Sequence, residues 1–272
     1  MLQVMRPPAI TYFHIGPVSL HVYGTVILIA VIVWLALTRI SYTRRGGLPD
    51  EINELALYIL PGAIIGGRTY HVITSWNQYF GKDGHPQEAL MFWKPGLGTY
   101  GALMGALFAG YLAFRSKARS LSLVDFADSV AVSFLTAQGI ARIADFFNTD
   151  SFGRPTSLPW ALEVPLNLRP HGYEQFTTFH PTVLYEALWC FIWAGAFFWI
   201  PYFKKLAPGK LFIWTALLYT LARTGIDFIR IDPAVHLLGL TINNWLSIVG
   251  VCTSASLLLT KYRVKNPSHK GS

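Results

Sequence analysis

The stretch SLHVYGTVILIAVIVWLALTR, residues 19–39, is apolar over nearly its whole length and carries its only arginine at the end. As an α-helix, about 20 such residues span the ~30 Å hydrocarbon core of a bilayer. Six more runs of similar length follow, and together they predict an all-α polytopic membrane protein with about seven transmembrane helices. The runs lie near residues 19–39, 52–74, 96–115, 122–147, 181–203, 211–230 and 241–260.

The composition agrees with a membrane protein. Of the 272 residues, 53% are hydrophobic and only 13% are charged, whereas about a quarter of the residues in a soluble domain are charged. No internal repeat or low-complexity linker divides the chain, so residues 1–272 are predicted to form a single integral membrane domain. No cleavable signal peptide is expected, because the N-terminal stretch lacks an apolar core before a small-residue cleavage site. No disulfide is expected, because Cys190 and Cys252 both lie inside apolar runs.

The longest hydrophilic connection, residues 148–180, is predicted to form a small irregular or β-containing cap on the outer side of the membrane. Its prolines exclude a continuous helix, because proline removes a backbone donor and clashes with the preceding turn. The prolines that carry this prediction are Pro155, Pro159, Pro165 and Pro170.

The net charge of +8 does not predict a nucleic-acid partner, because the basic residues are sorted by side. Thirteen of the 22 lysines and arginines follow the first, third, fifth and seventh apolar runs. Basic residues concentrate in cytoplasmic loops. This pattern predicts an N-terminus outside the cell and a cytoplasmic C-terminus.

Glycines recur at a spacing of four in the second and third runs, as in Gly62–Gly66 and Gly101–Gly105. Small residues at this spacing let two membrane helices approach closely, which is the favoured interpretation. The alternative is that a lipid headgroup approaches the backbone there, and the two interpretations are compatible.

Two stripes of polar side chains lie where polar groups are costly. Gln138, Arg142 and Asp145 share one helical face in the fourth run. An ionisable residue at the bilayer centre costs at least ~2.5–3.5 kcal/mol, so such residues indicate a functional site. A second stripe of polar side chains lies within the sixth run. All these groups are predicted to converge on a cavity open to the outer leaflet. Its members are Tyr219, Arg223, Asp227 and Arg230, with Tyr23, Arg68 and Glu186 placed nearby.

Two interpretations of these charges remain open. The arginines and carboxylates could simply neutralise one another, as Arg142 with Asp145 and Arg223 with Asp227. Buried ion pairs, however, rarely stabilise a fold more than apolar packing does. A phosphate-bearing substrate could instead bind the planar guanidinium forks. No metal or other cofactor is expected, because the histidines lack the spacing of metal ligands.

The ordered motifs of the chain resemble those of bacterial prolipoprotein diacylglyceryl transferases. The resemblance extends over most of the chain, including a segment similar to the family signature Gly-Arg-x-Gly-Asn-Phe-x-Asn-x-Glu. The matching segments are GPVSLHVYG at 16–24, GGRTYHVI at 66–73, ARIADFFNTDSFGRPTSLPWALEVP at 141–165, HPTVLYEAL at 180–188, LYTLARTGIDFIRIDP at 218–233 and NNWLSI at 243–248.

This resemblance implies an enzyme of the bacterial cytoplasmic membrane with its active site toward the outer leaflet. The implied reaction transfers the diacylglyceryl group of phosphatidylglycerol to the lipobox cysteine of a preprolipoprotein signal peptide. A thioether forms and glycerol phosphate leaves. The implied partners are therefore phosphatidylglycerol, lipobox signal peptides and membrane lipid.

The resemblance also implies roles for single residues. Arg142 and Arg223 would hold the phosphate, and Tyr23 and Tyr219 would orient the headgroup. The remaining implied site residues lie in the signature, in its Gly-Arg-Pro-Thr extension or in the later motifs. They are Asn148, Asp150 and Gly153, with Arg68, Glu186, Asp227 and Arg230 as weaker candidates.

Three of the departures from the family pattern bear on the chemistry. Asp145 replaces the signature asparagine, Asp150 replaces its glutamate, and Tyr100 occupies the position of a histidine proposed as the base. Tyrosine titrates near pH ~10 in solution and is a poor base at neutral pH. Asp145 is therefore a hypothetical replacement base, and Tyr100 and Asp150 remain catalytic candidates.

The departures leave two other functions open. One is a divergent paralogue with a different acceptor or lipid donor. The other is a non-catalytic protein that binds or transports lipid, although the two halves of the chain show no inverted repeat.

Overall fold

The computed structural model of the protein describes residues 4–8, 12–15, 18–82, 84–92, 96–149, 151–231 and 236–260. The candidate residue Asp150 and the basic residues beyond 260 lie outside these ranges.

The described chain is mainly helical, and a long helix coincides with each of the seven predicted apolar runs. Two very short helices, α3 and α7, accompany the long ones. The helices are α1 Val22–Arg44, α2 Pro49–Thr74, α3 Trp76–Phe80, α4 Thr99–Arg115, α5 Leu123–Asn148, α6 Thr182–Trp199, α7 Pro201–Lys204, α8 Lys210–Ile229 and α9 Ile242–Leu259.

Among the described residues, four helices are long and apolar enough to cross a membrane: α1, α5, α6 and α9. The other long helices, α2, α4 and α8, do not combine that length with that apolar character, and α4 has only 17 residues. A membrane protein with several apolar helices is therefore confirmed, whereas the count of seven crossings stays a prediction.

Helices α2 and α4 pack closely through the predicted glycines. A Cβ atom added at Gly62 would lie 2.8 Å from the Gly105 carbonyl oxygen, and one at Gly66 would lie 2.8 Å from Gly105 Cα. Real Cβ atoms essentially never approach backbone so closely. The helix-packing interpretation of this glycine pattern is confirmed.

The first turn of helix α8 is capped by a carboxylate from another helix, Asp128 of α5. Asp128, buried in α5, accepts hydrogen bonds from the Gly209 amide at 2.8 Å and the Phe212 amide at 2.9 Å. These are backbone donors that lack partners within a first helical turn. Asp128 thereby ties the start of α8 to α5.

The predicted cap contains a small antiparallel sheet. Strand β3, Leu162–Glu163, pairs with β4, Thr178–Phe179. Near the N-terminus, Met5 donates its amide to Ala161 and accepts from the amide of Glu163, at 2.9 and 2.8 Å. The buried apolar centre of the cap consists of Phe152, Leu162, Val164 and Phe179.

Two further hairpins precede long helices. One joins Tyr12–Ile15 to Val18–His21 directly before α1, and the other joins His236–Leu237 to Leu240–Thr241 before α9. Met5 pairs with Leu162 of the cap shortly before the first hairpin, and Arg230 pairs with Gly153 of the cap shortly before the second, so both hairpins follow segments that contact the cap.

Candidate active site

The polar stripe of α5 forms an ion pair inside the bundle. Arg142 Nη1 lies 2.5 Å from Asp145 Oδ2, one turn later on the same face. Side chains three residues apart on a helix are neighbours, so this pairing follows from the local sequence. Both side chains are largely shielded, with 10% and 16% of their surfaces exposed.

The stripe of α8 forms a second pair. Arg223 Nη2 lies 3.0 Å from Asp227 Oδ1, four residues later. Helix α8 packs against both α5 and α6, which brings its stripe close to that of α5.

Glu186 of α6 joins the two pairs into one network. Its Oε1 lies 2.9 Å from Arg142 Nε, and its Oε2 accepts a hydrogen bond of 2.9 Å from Arg223 Nη1. The Glu186 side chain is only 1% exposed. The result is a chain of alternating charges, hereafter the charge network, that runs Asp145–Arg142–Glu186–Arg223–Asp227.

The charge network keeps unused hydrogen-bonding capacity. Arg223 Nε and Asp227 Oδ2 are buried and have no hydrogen-bond partner among the described residues. The Arg142 Nε–Glu186 contact is an ion pair without the alignment of a hydrogen bond. An unsatisfied buried polar group costs about 1–3 kcal/mol, so such groups indicate a site that completes its bonds with a ligand.

Tyr219 lies beside the charge network on α8. Gln138 Nε2 donates a hydrogen bond of 2.7 Å to the Tyr219 hydroxyl oxygen. Since Gln138 uses the oxygen as acceptor, the hydroxyl proton of Tyr219 remains available to donate to a ligand.

Tyr100 is buried and connects helices instead of facing an open space. Its hydroxyl forms a hydrogen bond with Ser247 Oγ of α9. The same hydroxyl lies close enough to the Arg223 guanidinium to interact with it electrostatically. The structure therefore brings Tyr100 to the edge of the charge network, with its hydroxyl already engaged.

Arg230 and Gly153 connect the cap to the end of α8. Arg230 Nη2 donates to Ser151 Oγ at 2.7 Å, and the two chain segments pair as an antiparallel bridge between Gly153 and Arg230. A Cβ at Gly153 would lie 2.8 Å from Ile229 Cγ2 and 2.9 Å from Thr182 Cγ2. Glycine is thus the residue that lets the cap approach this closely.

Arg68 organises the loop between α2 and α4. Its guanidinium donates to the carbonyl oxygens of Ala89 at 3.1 Å and Gly96 at 3.0 Å, and also to that of Glu88. Its Cζ atom lies 5.3 Å from the centre of the Tyr79 ring.

Tyr23 and Asn148 occupy neighbouring ends of two helices that pack against each other. Tyr23 is the second residue of α1 and Asn148 is the last of α5, and both side chains are partly buried. The chain leaves α5 through Thr149, which has a left-handed φ of 56°. This left-handed residue ends α5 and directs the chain into the cap.

The sequence pattern does not indicate that Glu186 joins the two arginines. The only local signal is its position one turn after His180-Pro181 at the start of α6, which places it at the depth of the arginines. Gln138 belongs to the α5 stripe, but its spacing alone does not predict its bond to Tyr219. Within the described ranges, no three His, Cys, Asp or Glu side chains are grouped to hold a metal ion.

The fold and the site define a class: a helical membrane protein with a buried arginine–carboxylate network beneath a small β-containing cap. The family model described as prolipoprotein diacylglyceryl transferase matches residues 10–260. The chain belongs to this family, as its motifs predicted.

Curated relatives agree with this assignment. A phosphatidylglycerol–prolipoprotein diacylglyceryl transferase of Cutibacterium acnes is 39% identical over 93% of this chain and 84% of its own length. The second such enzyme of Streptomyces coelicolor is 39% identical over 91% and 78%. That of Bifidobacterium adolescentis is 36% identical over 91% and 76%.

Proposed function

We propose that this protein transfers the diacylglyceryl group of phosphatidylglycerol to the thiol of a lipobox cysteine in a preprolipoprotein signal peptide. The glyceryl C–O bond to phosphate breaks, a C–S bond forms, the thiol proton passes to a base, and glycerol phosphate leaves. Membership of the family supports the reaction. The single structural observation that carries it is the pair of buried arginines held by Glu186.

Arg142 and Arg223 are proposed to bind the phosphate. Two guanidinium groups aimed at a departing phosphate stabilise the charge that develops on it, and they do so best when they are already oriented. Glu186 supplies that orientation, because it contacts both side chains at 2.9 Å. Tyr219, with its free hydroxyl proton, is placed to donate to the same headgroup.

The substrate phosphate is proposed to displace an outer carboxylate of the charge network. Asp145 and Asp227 each contact one arginine, whereas Glu186 contacts two. Exchange of phosphate for Asp145 or Asp227 therefore breaks one ion pair and leaves both ion pairs of Glu186 intact.

Asp145 is proposed as the base. Once phosphate binds Arg142, the Asp145 carboxylate loses its ion-pair partner and becomes a better proton acceptor. Tyr100 is a weaker candidate, because its hydroxyl is already hydrogen-bonded to Ser247.

The finer topology is part of the same proposal: seven crossings, an outer N-terminus, a cytoplasmic C-terminus and a site open to the outer leaflet. The end of the bundle opposite the cap supports it, because basic residues cluster there. Glu54 contacts Lys117 at 2.8 Å and Arg119 at 2.9 Å at that end. Basic groups there suit an anionic cytoplasmic leaflet.

The decisive test is transfer in vitro. Purified protein, phosphatidylglycerol and a lipobox peptide should yield a peptide heavier by one diacylglyceryl group, and a peptide with serine in place of the cysteine should stay unmodified. Transfer only from another phospholipid would identify a divergent paralogue. Saturable lipid binding without any thioether would identify a binding or transport protein, and either result would overturn the proposal.

A further inference from the structure

A cavity of about 190 Å³ lies between α1, α2 and α5, in a part of the bundle that the charge network does not use. Its walls are almost wholly apolar. The lining includes Ala30, Trp34, Leu60, Phe134, Ala137 and Gln138.

On α5, the cavity extends from Ala141, the residue before Arg142, down to Phe134. Gln138 precedes Arg142 by four residues, which is about 6 Å along a helix, and Phe134 lies about 12 Å below it. On α1, the lining residues Ala30 and Trp34 occupy the middle of the helix. The cavity therefore extends from the arginines toward the centre of the membrane.

Gln138 lines the upper part of the cavity. It is the one amide in the lining, and the same side chain donates to Tyr219 beside the charge network. The phosphate site and the apolar space are thus connected through a single residue.

The cavity suits a hydrocarbon better than water. The space is open on one side, and its almost wholly apolar lining offers water few hydrogen-bond partners. Two of its three walls, α1 and α5, are helices long and apolar enough to cross a membrane. In that location the available apolar occupant is a lipid chain.

We propose that this cavity is a subsite for one acyl chain of the donor lipid, whose phosphate lies at the arginines. The proposal rests on the proposed function. It implies that the side chains of α1, α2 and α5 at this depth select donors by the length and bulk of that acyl chain.

Filling the cavity should change donor preference. Ala137→Leu and Ala30→Leu each add volume inside it, and Ala36→Leu is the matched control, because Ala36 is exposed on the same helix as Ala30. The readout is the ratio of kcat/KM for dipalmitoyl over dioctanoyl phosphatidylglycerol. We expect this ratio to fall about tenfold in the two cavity variants and to stay constant in the control.

An enlarged cavity should act in the opposite direction. Leu60→Ala removes volume from the α2 wall and should raise the use of diphytanoyl relative to dipalmitoyl phosphatidylglycerol. Far-UV circular dichroism establishes that each variant is folded. Ratios that match those of the unchanged protein in all cavity variants would overturn the proposal.

A binding measurement separates this proposal from the transfer reaction. Phosphatidylglycerol with brominated acyl chains should quench Trp34, one of nine tryptophans, saturably in detergent micelles. Trp34→Phe should remove that quenching component, and Ala137→Leu should weaken it. Quenching without transfer would reject the transferase function and keep the acyl site, whereas transfer without Trp34 quenching would reject the acyl site alone.

Discussion

The charge network predicts that Glu186→Gln is among the most damaging single-atom changes available to this protein. Glu186 is 1% exposed and contacts two arginines at 2.9 Å. Removing one partner of a buried ion pair costs about 3–5 kcal/mol, because it leaves an uncompensated charge. Since Arg142 and Arg223 each retain one aspartate, we expect the free energy of unfolding to fall by about 3–5 kcal/mol and not by twice that amount.

Glu54→Gln is the matched control. Glu54 also contacts two cations, Lys117 at 2.8 Å and Arg119 at 2.9 Å, but its side chain is 29% exposed. Water reaches Glu54 and Lys117, and Arg119, only 3% exposed, keeps its hydrogen bond to the Ala113 carbonyl, so we expect a loss of about 1 kcal/mol. The two variants therefore make the same chemical change and differ mainly in burial.

Denaturant unfolding in detergent micelles, followed by circular dichroism, measures both free energies of unfolding. Transfer to a lipobox peptide measures function, and we expect kcat of Glu186→Gln to fall by about 100-fold or more, because the arginines lose their orientation. Equal stability losses in the two variants, or full activity of Glu186→Gln, would refute the reasoning.

Three further predictions concern the site and the helix packing. Asp145→Asn should lower transfer at least about 100-fold with an unchanged circular dichroism spectrum, and a fully active variant would exclude Asp145 as the base. Arg223→Lys loses the fork that contacts Glu186 and Asp227, so kcat should fall about 100–1,000-fold in the peptide assay. Gly105→Ala should cost about 1–3 kcal/mol in denaturant unfolding, whereas Gly195→Ala, with open space around it, should cost nothing.

The positions of the long helices could be predicted because hydrophobic length is a local property. The run at 122–147 corresponds to α5, Leu123–Asn148, and the run at 241–260 to α9, Ile242–Leu259. Helix ends were less predictable where a partner from elsewhere in the chain sets them. Asp128 of α5, for example, holds the first amides of α8.

The same distinction between local spacing and contacts across helices applies to the site. Both ion pairs within single helices, Arg142–Asp145 and Arg223–Asp227, follow from sequence spacing and are present. The contacts of Glu186 depend on how α6 packs between α5 and α8, which no spacing encodes. The roles of the individual site residues in transfer stay predictions until they are measured.

The arrangement of the charge network also answers a difficulty raised by Asp145, since a carboxylate beside Arg142 opposes an anionic substrate. The two outer carboxylates are not equivalent: the Asp145 side chain is 16% exposed and that of Asp227 only 6%. The more exposed ion pair is the easier one to exchange, because water compensates the released charge. On the proposed mechanism, phosphate therefore enters at Arg142 and frees Asp145, near the end of α5 that leads into the cap. The same step that binds the donor lipid then produces the base that the reaction needs.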